Sequence, residues 1–514
     1  MIYNIKNNKD ILLSELLQQN NIDFKLPCGG NHTCGKCKIK VSGLLSSMSE
    51  EEKKFLSQNE IENGYRLACF TKTSTDIIVE TENIKFNQIL EKSFMDDFIL
   101  DPIILNSEYG LAVDIGTTTI VACLFKGNNK NCIAVKSELN MQKIYGADVI
   151  SRINFSISND SSQVSQTVIN QINSLIKHLT DQIGILYDSV KHVVVTGNTT
   201  MLHFFTNLDP ENIAFYPFTP KSLFGMYIDN TMGLNIPEDC KIYIPPCVSA
   251  YVGADLLCGI LSCDIINKDE ISFIVDIGTN GEMALFKNGQ ISCCSTSAGP
   301  AFEGSNLNCG ISAVEGAICK VYHDIHSDTI AYETINNACA IGICGSGIID
   351  ALAVLLELNI MDKTGRLLKE GHLFTKNIII NQSNEICFQF DNTEIYISQK
   401  DIRQIQLAKG AISAGIETLL SENNIKSSEI KTFYICGGFG TYLDIVSAEK
   451  IGLIPKNIIN KVKVVGNSAI AGASRILLNK SSIDELAIIT KKCNYIELSS
   501  NEAFINTYIA KMNF

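Results

Sequence analysis

The chain has no surplus of basic residues: 42 Lys and Arg stand against 55 Asp and Glu, a formal net charge of −13 over 514 residues. Nucleic-acid binding needs basic surface to displace the counterions of the phosphate backbone, so the balance argues against that class of partner. It suits a protein that meets protein partners through complementary charge. Nowhere does the sequence approach the roughly eighteen uninterrupted apolar residues of a membrane span. The opening stretch, Met1 to Asp10, has no apolar core of a secretory signal either. Charged residues are few, at 19%, and apolar ones make up 46%, which fits large buried cores rather than disorder. No membrane partner is expected, and the expected location is the cytoplasm. The length exceeds one ordinary domain; about two to four are expected.

Cysteine, by contrast, is abundant, at 19 residues. Secreted disulfide frameworks belong to short exported chains, which this is not. Four cysteines fall in the first seventy residues, and the other fifteen are scattered, mostly in apolar runs such as Ala122-Cys123-Leu124 and Ile435-Cys436-Gly437. There they read as small buried hydrophobes. The adjacent Cys293-Cys294 reads the same way, since neighbouring cysteines do not easily chelate one metal.

Residues 1–80 have the pattern of a small α+β domain. A strand over Ile2–Ile5 leads to a helix whose apolar face includes Ile11, Leu12, Leu13, Leu16 and Leu17. A strand over Lys38–Val41 follows a glycine- and cysteine-rich loop. Ser49 with Glu52 suggests a capping box opening a second helix, and Ile77–Glu80 a closing strand. Residues 81–109 hold no sustained pattern and are read as a linker. Beyond them comes an internal near-repeat: Val113-Asp-Ile-Gly-Thr-Thr-Thr is echoed by Val275-Asp-Ile-Gly-Thr-Asn-Gly. It implies two similarly folded lobes, 110–268 and 269–514. The second is expected to hold insertions, and its end to fold back onto the first.

The early cysteines are spaced Cys28-x5-Cys34-x2-Cys37, with Cys69 after thirty-one more residues. Thiolates bind soft metals, and a binuclear iron–sulfur cluster takes three from one tight loop and one from a distant segment. Gly29, Gly30 and Gly35 let the backbone wrap closely around such a group. Zinc is the competing reading, but zinc ribbons usually pair two knuckles, and Cys69 has no partner knuckle. His32 alone does not make a Rieske centre, which needs two histidines; it reads as a solvent-facing loop residue. The strings Leu26-Pro-Cys28, Cys34-Gly-Lys-Cys37 and Arg66-Leu-Ala-Cys69 resemble plant-type ferredoxins, with five residues instead of four between the first two cysteines.

Each Asp-Ile-Gly-Thr turn ends a strand with a carboxylate suited to Mg²⁺ and presents amides and hydroxyls to phosphate. Asp114, Gly116, Thr117 and Thr118 form one set; Asp276, Gly278, Thr279 and Asn280 form the other. One such turn is a weak signal, whereas two at the heads of duplicated lobes would clamp the ends of a triphosphate chain. Gly437-Gly438 after a strand offers bare backbone to adenosine. Gly342-Ile-Cys-Gly345-Ser346-Gly347 and Gly466 to Ala473 read as helix-linked glycine contacts between lobes. Glu303 is a candidate to position water or metal, or else a structural carboxylate. Asp148 and Arg152, four apart, read as a surface ion pair.

This ordered set resembles the acetate- and sugar-kinase/Hsp70/actin superfamily. Joined to the ferredoxin segment, it is similar to the reductive activators of corrinoid proteins. The resemblance extends to Asn140-Met-Gln, Tyr145 to Arg152, Gly197 to Met201, Tyr251 to Asp255 and Ser297 to Gly304. It implies a ferredoxin-like β-grasp domain followed by an α/β two-lobed RNase H-like domain. It further implies a [2Fe–2S] cluster on Cys28, Cys34, Cys37 and Cys69, with ATP and Mg²⁺ between the lobes. Asp114, Asp276 and Glu303 would be catalytic; the two turns, Gly345, Ser346, Gly437 and Gly438 would hold nucleotide. The implied activity is ATP-dependent electron transfer that returns a corrinoid protein from Co(II) to Co(I). Implied partners are that corrinoid protein, an electron donor to the cluster, and a second copy of the chain in a homodimer. Alternatives are a kinase-type phosphotransferase with a redox-sensing ferredoxin domain, a passive electron carrier, and an activator of 2-hydroxyacyl-CoA dehydratases.

Overall fold

The computed structural model describes residues 2–20, 22, 32, 35, 37–80, 100–104, 108–127, 129–439 and 443–514. The chain divides into two compact units: residues 1–85 with 141–158, and residues 86–140 with 159–514. Among the described residues no helix is long and apolar enough to cross a membrane.

The first unit holds β1 (Ile2–Ile5), β2 (Ile11–Leu12), β3 (Lys38–Leu45), β4 (Tyr65–Leu67) and β5 (Lys72–Glu80), in the order β1-β5-β3-β4 with β2 also on β5. Alternation along β5 turns Thr73, Ile77 and Val79 inward. The helix Leu13–Gln19 closes the core, with Leu13, Leu16 and Leu17 packed among Ile39, Val41, Leu67 and Val79. The expected helix thus starts two residues late. Ile11 and Leu12 pair with Thr73 and Lys72 instead, because a sheet edge was available to a β-branched residue. Ser49 does cap the short helix Glu50–Lys53, but Glu52 does not complete the box. Its side chain is fully buried and goes to Arg66. A complete capping box lies one helix later, at Ser57 and Glu60. The helix Val149–Ser158 belongs to this unit and buries Val149, Arg152, Ile153 and Ser156. Arg152 therefore is no surface residue: its Nε donates to the Gly146 carbonyl at 3.0 Å, while the exposed Asp148 accepts from the Ser151 amide.

The second unit holds two six-stranded sheets, one headed by each copy of the repeated turn, while residues 141–158, expected in the first lobe, fall in the other unit. The first sheet contains β6 (Tyr109–Ile115), β7 (Thr119–Lys126), β8 (Ala134–Leu139), β9 (Val190–Gly197), β10 (Phe224–Ile228) and β11 (Lys241–Pro246), ordered β10-β11-β9-β6-β7-β8. The second lobe begins with β12 (Ser272–Ile277), β13 (Asn280–Lys287) and β14 (Gln290–Ser297). Two three-stranded sheets are then inserted, β15 (Ala317–Asp324), β16 (Thr329–Thr334) and β17 (Gly342–Ile343), followed by β18 (Ile378–Ile380), β19 (Ile386–Gln389) and β20 (Tyr396–Ser398). The main sheet is completed by β21 (Thr432–Cys436), β22 (Val462–Gly466) and β23 (Cys493–Tyr495), ordered β22-β21-β12-β13-β14-β23. In each lobe three strands form an antiparallel meander, and two later strands add in parallel beside the first. This shared order is the RNase H-like arrangement, and it is the structural counterpart of the sequence repeat.

The helices Ala254–Ser262 and Ser468–Leu478 form the core between the sheets, with Leu257, Cys258 and Ile476 packed against Ala112 of one sheet and Ile274 of the other. They cross at Gly472, where a Cβ would sit 2.1 Å from the Cys258 carbonyl oxygen. The C-terminal part thus returns to the first lobe. Residues 100–104 of the expected linker run beside the same core: Asp101 and Ile103 donate their amides to the Leu478 and Leu477 carbonyls, and Ile104 is buried in it. Cys293 and Cys294 are buried in apolar clusters.

Candidate functional site: a thiol pair and a nucleotide cleft

The β3–β4 register opposes Lys38 to Leu67 and so brings the flanking Cys37 and Cys69 together. The Ala68 amide donates to the Cys37 carbonyl at 2.9 Å, and the two sulfurs lie 3.2 Å apart, both buried. That is well beyond a disulfide bond of about 2.05 Å. It is near the roughly 3.8 Å separating two thiolates on one tetrahedral metal with bonds of about 2.3 Å. Cys28 and Cys34 lie outside the described residues. Glu52 organises the segment leading to Cys69: it accepts from Arg66 Nε at 2.9 Å and Nη2 at 2.8 Å, and from the Leu67 amide at 2.8 Å. His32 is exposed; its Nε2 donates to the Cys69 carbonyl at 2.8 Å, and its ring stacks on Phe70.

In the second unit, all thirteen residues expected to act on nucleotide line one cleft with a cavity of about 240 Å³: the two turns, Glu303, Gly345, Ser346, Gly437 and Gly438. Strand pairing places each turn. The β6–β7 hairpin closes with the Gly116 amide on the Thr119 carbonyl, and the β12–β13 hairpin with Gly278 on Asn280, both at 3.0 Å. The turns meet at their hydroxyls: Thr118 Oγ1 and Thr279 Oγ1 are 3.3 Å apart. Glu303 spans them, accepting from Thr118 at 2.5 Å and from Thr279 at 2.9 Å. It stands at the end of the short turn Pro300–Glu303, whose Phe302 ring stacks on Phe439.

The cleft is strongly acidic. Burial pushes the Asp114 carboxyl up to about 7, against a hydrogen bond from Asn467 Nδ2 at 2.9 Å that favours the charged form. Asp276 also rises to about 7 through burial, then through the neighbouring charges of Asp255, Asp114 and Glu303. Asp255 rises to about 6 through burial, and Glu282, opposite Asp276 across the β12–β13 ladder, lies well above its usual range through burial and then the charges of Asp255 and Asp276. Carboxylate oxygens are hard ligands, but among the described residues no three acidic, His or Cys side chains are grouped closely enough to hold a metal ion by themselves.

Several lining residues were not assigned a role from sequence. Asn198 and Asn467 each cap a helix, through the Met201 and Ile470 amides. Each also turns its Nδ2 to the first phosphate turn, Asn198 to Thr117 Oγ1 at 3.0 Å and Asn467 to Asp114. Asp255, Glu282, Phe302 and Phe439 line the cleft as well. Asn198, Asp255, Phe302 and Asn467 sit inside sequence strings that had stood out, but a capping Asn looks the same whether or not its amide reaches a ligand. One expectation changes: Gly342–Gly347 is no contact between lobes. A Cβ at Gly345 would meet Phe302 and Phe439, and one at Gly347 would meet Ile318, all in the second lobe.

A family model described as the C-terminal domain of RACo, the ASKHA domain, matches residues 270–514, and one for the RACo middle region matches 109–268. A 2Fe-2S iron–sulfur cluster binding domain model matches residues 2–74. The corrinoid activation enzyme RamQ of Eubacterium limosum is 32% identical over 425 residues, covering 79% of this chain and 70% of the relative. A Co(II) methylated amine-specific corrinoid protein reductase of Methanosarcina barkeri is 27% identical over 439 residues, covering 79% of this chain and 77% of that one. The solved structure of a reductive activator for corrinoid, iron–sulfur protein is 30% identical with a TM-score of 0.74, covering 99% of this chain and 96% of its own.

Proposed function

The chain belongs to the family of reductive activators of corrinoid proteins, and from that premise we propose that it couples ATP hydrolysis to the reduction of a corrinoid protein from Co(II) to Co(I). The observation that carries this is the union of a buried thiol pair in a 2Fe-2S domain with a cleft whose two phosphate turns meet at Thr118 and Thr279. Cys37 and Cys69, with Cys28 and Cys34, would hold the cluster. When bound, the [2Fe–2S] group supplies single electrons at low potential. Glu52 and Arg66 fix the backbone that carries Cys69.

In the cleft, the amides and hydroxyls of the two turns bind the phosphate chain. The N-terminus of the helix Gly345–Glu357 adds Gly345 and Ser346, where backbone N–H groups favour an anion. Gly437 and Gly438 leave room for adenosine. Asp114 and Asp276 would hold Mg²⁺, which suits carboxylates that burial otherwise drives toward protonation. Glu303 orients and deprotonates the hydrolytic water. A protein electron donor, a homodimeric state and a cytoplasmic location complete the reading. The last is supported by buried thiols such as Cys258, Cys294 and Cys436, which suit a reducing compartment. The kinase-type alternative is not favoured, because the relatives matched over most of the chain act on corrinoid proteins.

The test is the anaerobic absorbance of a Co(II) corrinoid protein mixed with the chain and a reductant. Co(I) should form with Mg-ATP and not with a non-hydrolysable analogue. Equal yields in both cuvettes would refute the coupling.

A further inference from the structure

The Glu303 carboxylate does more than stand near the phosphate turns; it uses up their donors. Each threonine hydroxyl has one proton to give. Thr118 gives its proton to Oε2 at 2.5 Å, and Thr279 gives its own to Oε1 at 2.9 Å. The two hydroxyls come from different lobes, so one carboxylate fastens the first turn to the second. An anion entering between the turns needs those same protons and meets the Glu303 charge at close range. Phe302, the preceding residue, is buried and stacks on Phe439, which also lines the cleft.

We propose that the Glu303 carboxylate and a phosphate group of the bound nucleotide are alternative occupants of the Thr118–Thr279 hydroxyl pair, so that Glu303 governs phosphate entry and binding must first displace it. The inference rests on the nucleotide reading of the cleft and adds a specificity element to it. Displacement moves the carboxylate off the hydroxyls, where it is free to take a proton from water. Lobe closure and hydrolysis thereby follow phosphate binding instead of preceding it.

The experiment uses the full chain with its cluster loaded, and compares the parent with Glu303→Gln and Glu303→Asp. Gln keeps the shape but replaces one acceptor oxygen by a donor and removes the charge; Asp is too short to span both hydroxyls. Calorimetry with Mg²⁺ present measures the affinity for AMP-PNP and, as a ligand without phosphate, for adenosine. AMP-PNP should bind about tenfold more tightly to both variants, while adenosine affinity stays within about twofold of the parent. A role for Glu303 as base alone predicts slower hydrolysis with no such gain. AMP-PNP affinity that is unchanged or weaker, with adenosine binding intact, would overturn the proposal. Loss of both ligands from a variant would also overturn it, since Glu303 would then be a structural support. If the parent itself binds neither ligand, the nucleotide reading falls, and that failure is visible before any variant is made.

Discussion

At the scale of single residues, two buried ionic arrangements carry testable weight. Glu52 is fully buried and takes both nitrogens of the Arg66 fork, the Leu67 amide and, at 3.3 Å, the Thr71 hydroxyl. Removing one partner strands the other in the core, which costs about 3–5 kcal/mol. Glu52→Ala should therefore destabilise the first unit by that amount and lower its iron content, with ATP binding unchanged. Iron analysis after anaerobic purification, together with denaturant melts, checks it; normal iron and an unshifted midpoint would contradict it. The second arrangement is Asp114 with Asp276. Each has a folded value near 7 against an ordinary 3.8, because burial disfavours the charge. Between those values the folded chain binds more protons than the unfolded one. The stabilisation is fully present below 3.8 and is lost as pH rises to about 7. Going from pH 5 to 8, the parent should lose roughly 2–3 kcal/mol per carboxylate that Asp114→Asn does not lose. Parallel pH slopes for parent and variant would rule this out. The acidic residues at strand ends were legible because the motif repeats. Glu282 was not, since a strand residue facing Asp276 is defined only by register.

At the scale of elements, the sequence marks glycine without saying what approaches it. Gly345 opens the helix Gly345–Glu357, and a Cβ there would fall 1.8 Å from the Phe302 carbonyl oxygen and 2.8 Å from Phe439. A backbone atom cannot swing aside, so the start of the helix would have to shift and carry Gly345 and Ser346 out of their places in the cleft lining. Gly345→Ala should weaken ATP binding at least tenfold, on the order of 1.4 kcal/mol or more, with the iron content of the first unit unaffected. Calorimetry decides it, and affinity within twofold of the parent would show that the helix start yields without cost. The same segment was read from sequence as a joint between lobes, because a glycine-rich helix start looks alike against any neighbour. Ile11 and Leu12 show the complementary limit. Their apolar spacing fits a helix, and only the free edge of β5 converts them into a strand.

At the scale of the whole molecule, the duplication was the most legible feature, because one strand–turn–strand unit fixes where each sheet begins. The order of the sheets then follows from right-handed parallel additions to the meander. What the repeat does not contain is the path of the chain between the two units. Asn140 ends a stretch of the nucleotide unit, and Met141 begins the 141–158 stretch that belongs to the other. Asn140 is fully buried and fastened to the first phosphate turn twice: its amide donates to the Thr118 carbonyl and its Nδ2 to the Gly116 carbonyl, each at 2.8 Å. If that turn rearranges on ATP hydrolysis, Asn140 would carry the change along the chain to the start of the 141–158 segment. Coupling free energies between sites are typically about 1–3 kcal/mol, which for one electron is roughly 40–130 mV. Asn140→Ala removes the side-chain fastening and leaves the amide in place. It should leave iron content near the parent value and permit hydrolysis, yet lower the Co(I) formed per ATP by about tenfold, a loss of about 1.4 kcal/mol within that range. Phosphate release and corrinoid absorbance, followed in the same anaerobic cuvette, give that ratio directly. By reciprocity, the corrinoid protein should also raise nucleotide affinity less in the variant than in the parent. An unchanged Co(I) to ATP ratio would mean that the signal leaves the cleft by another route.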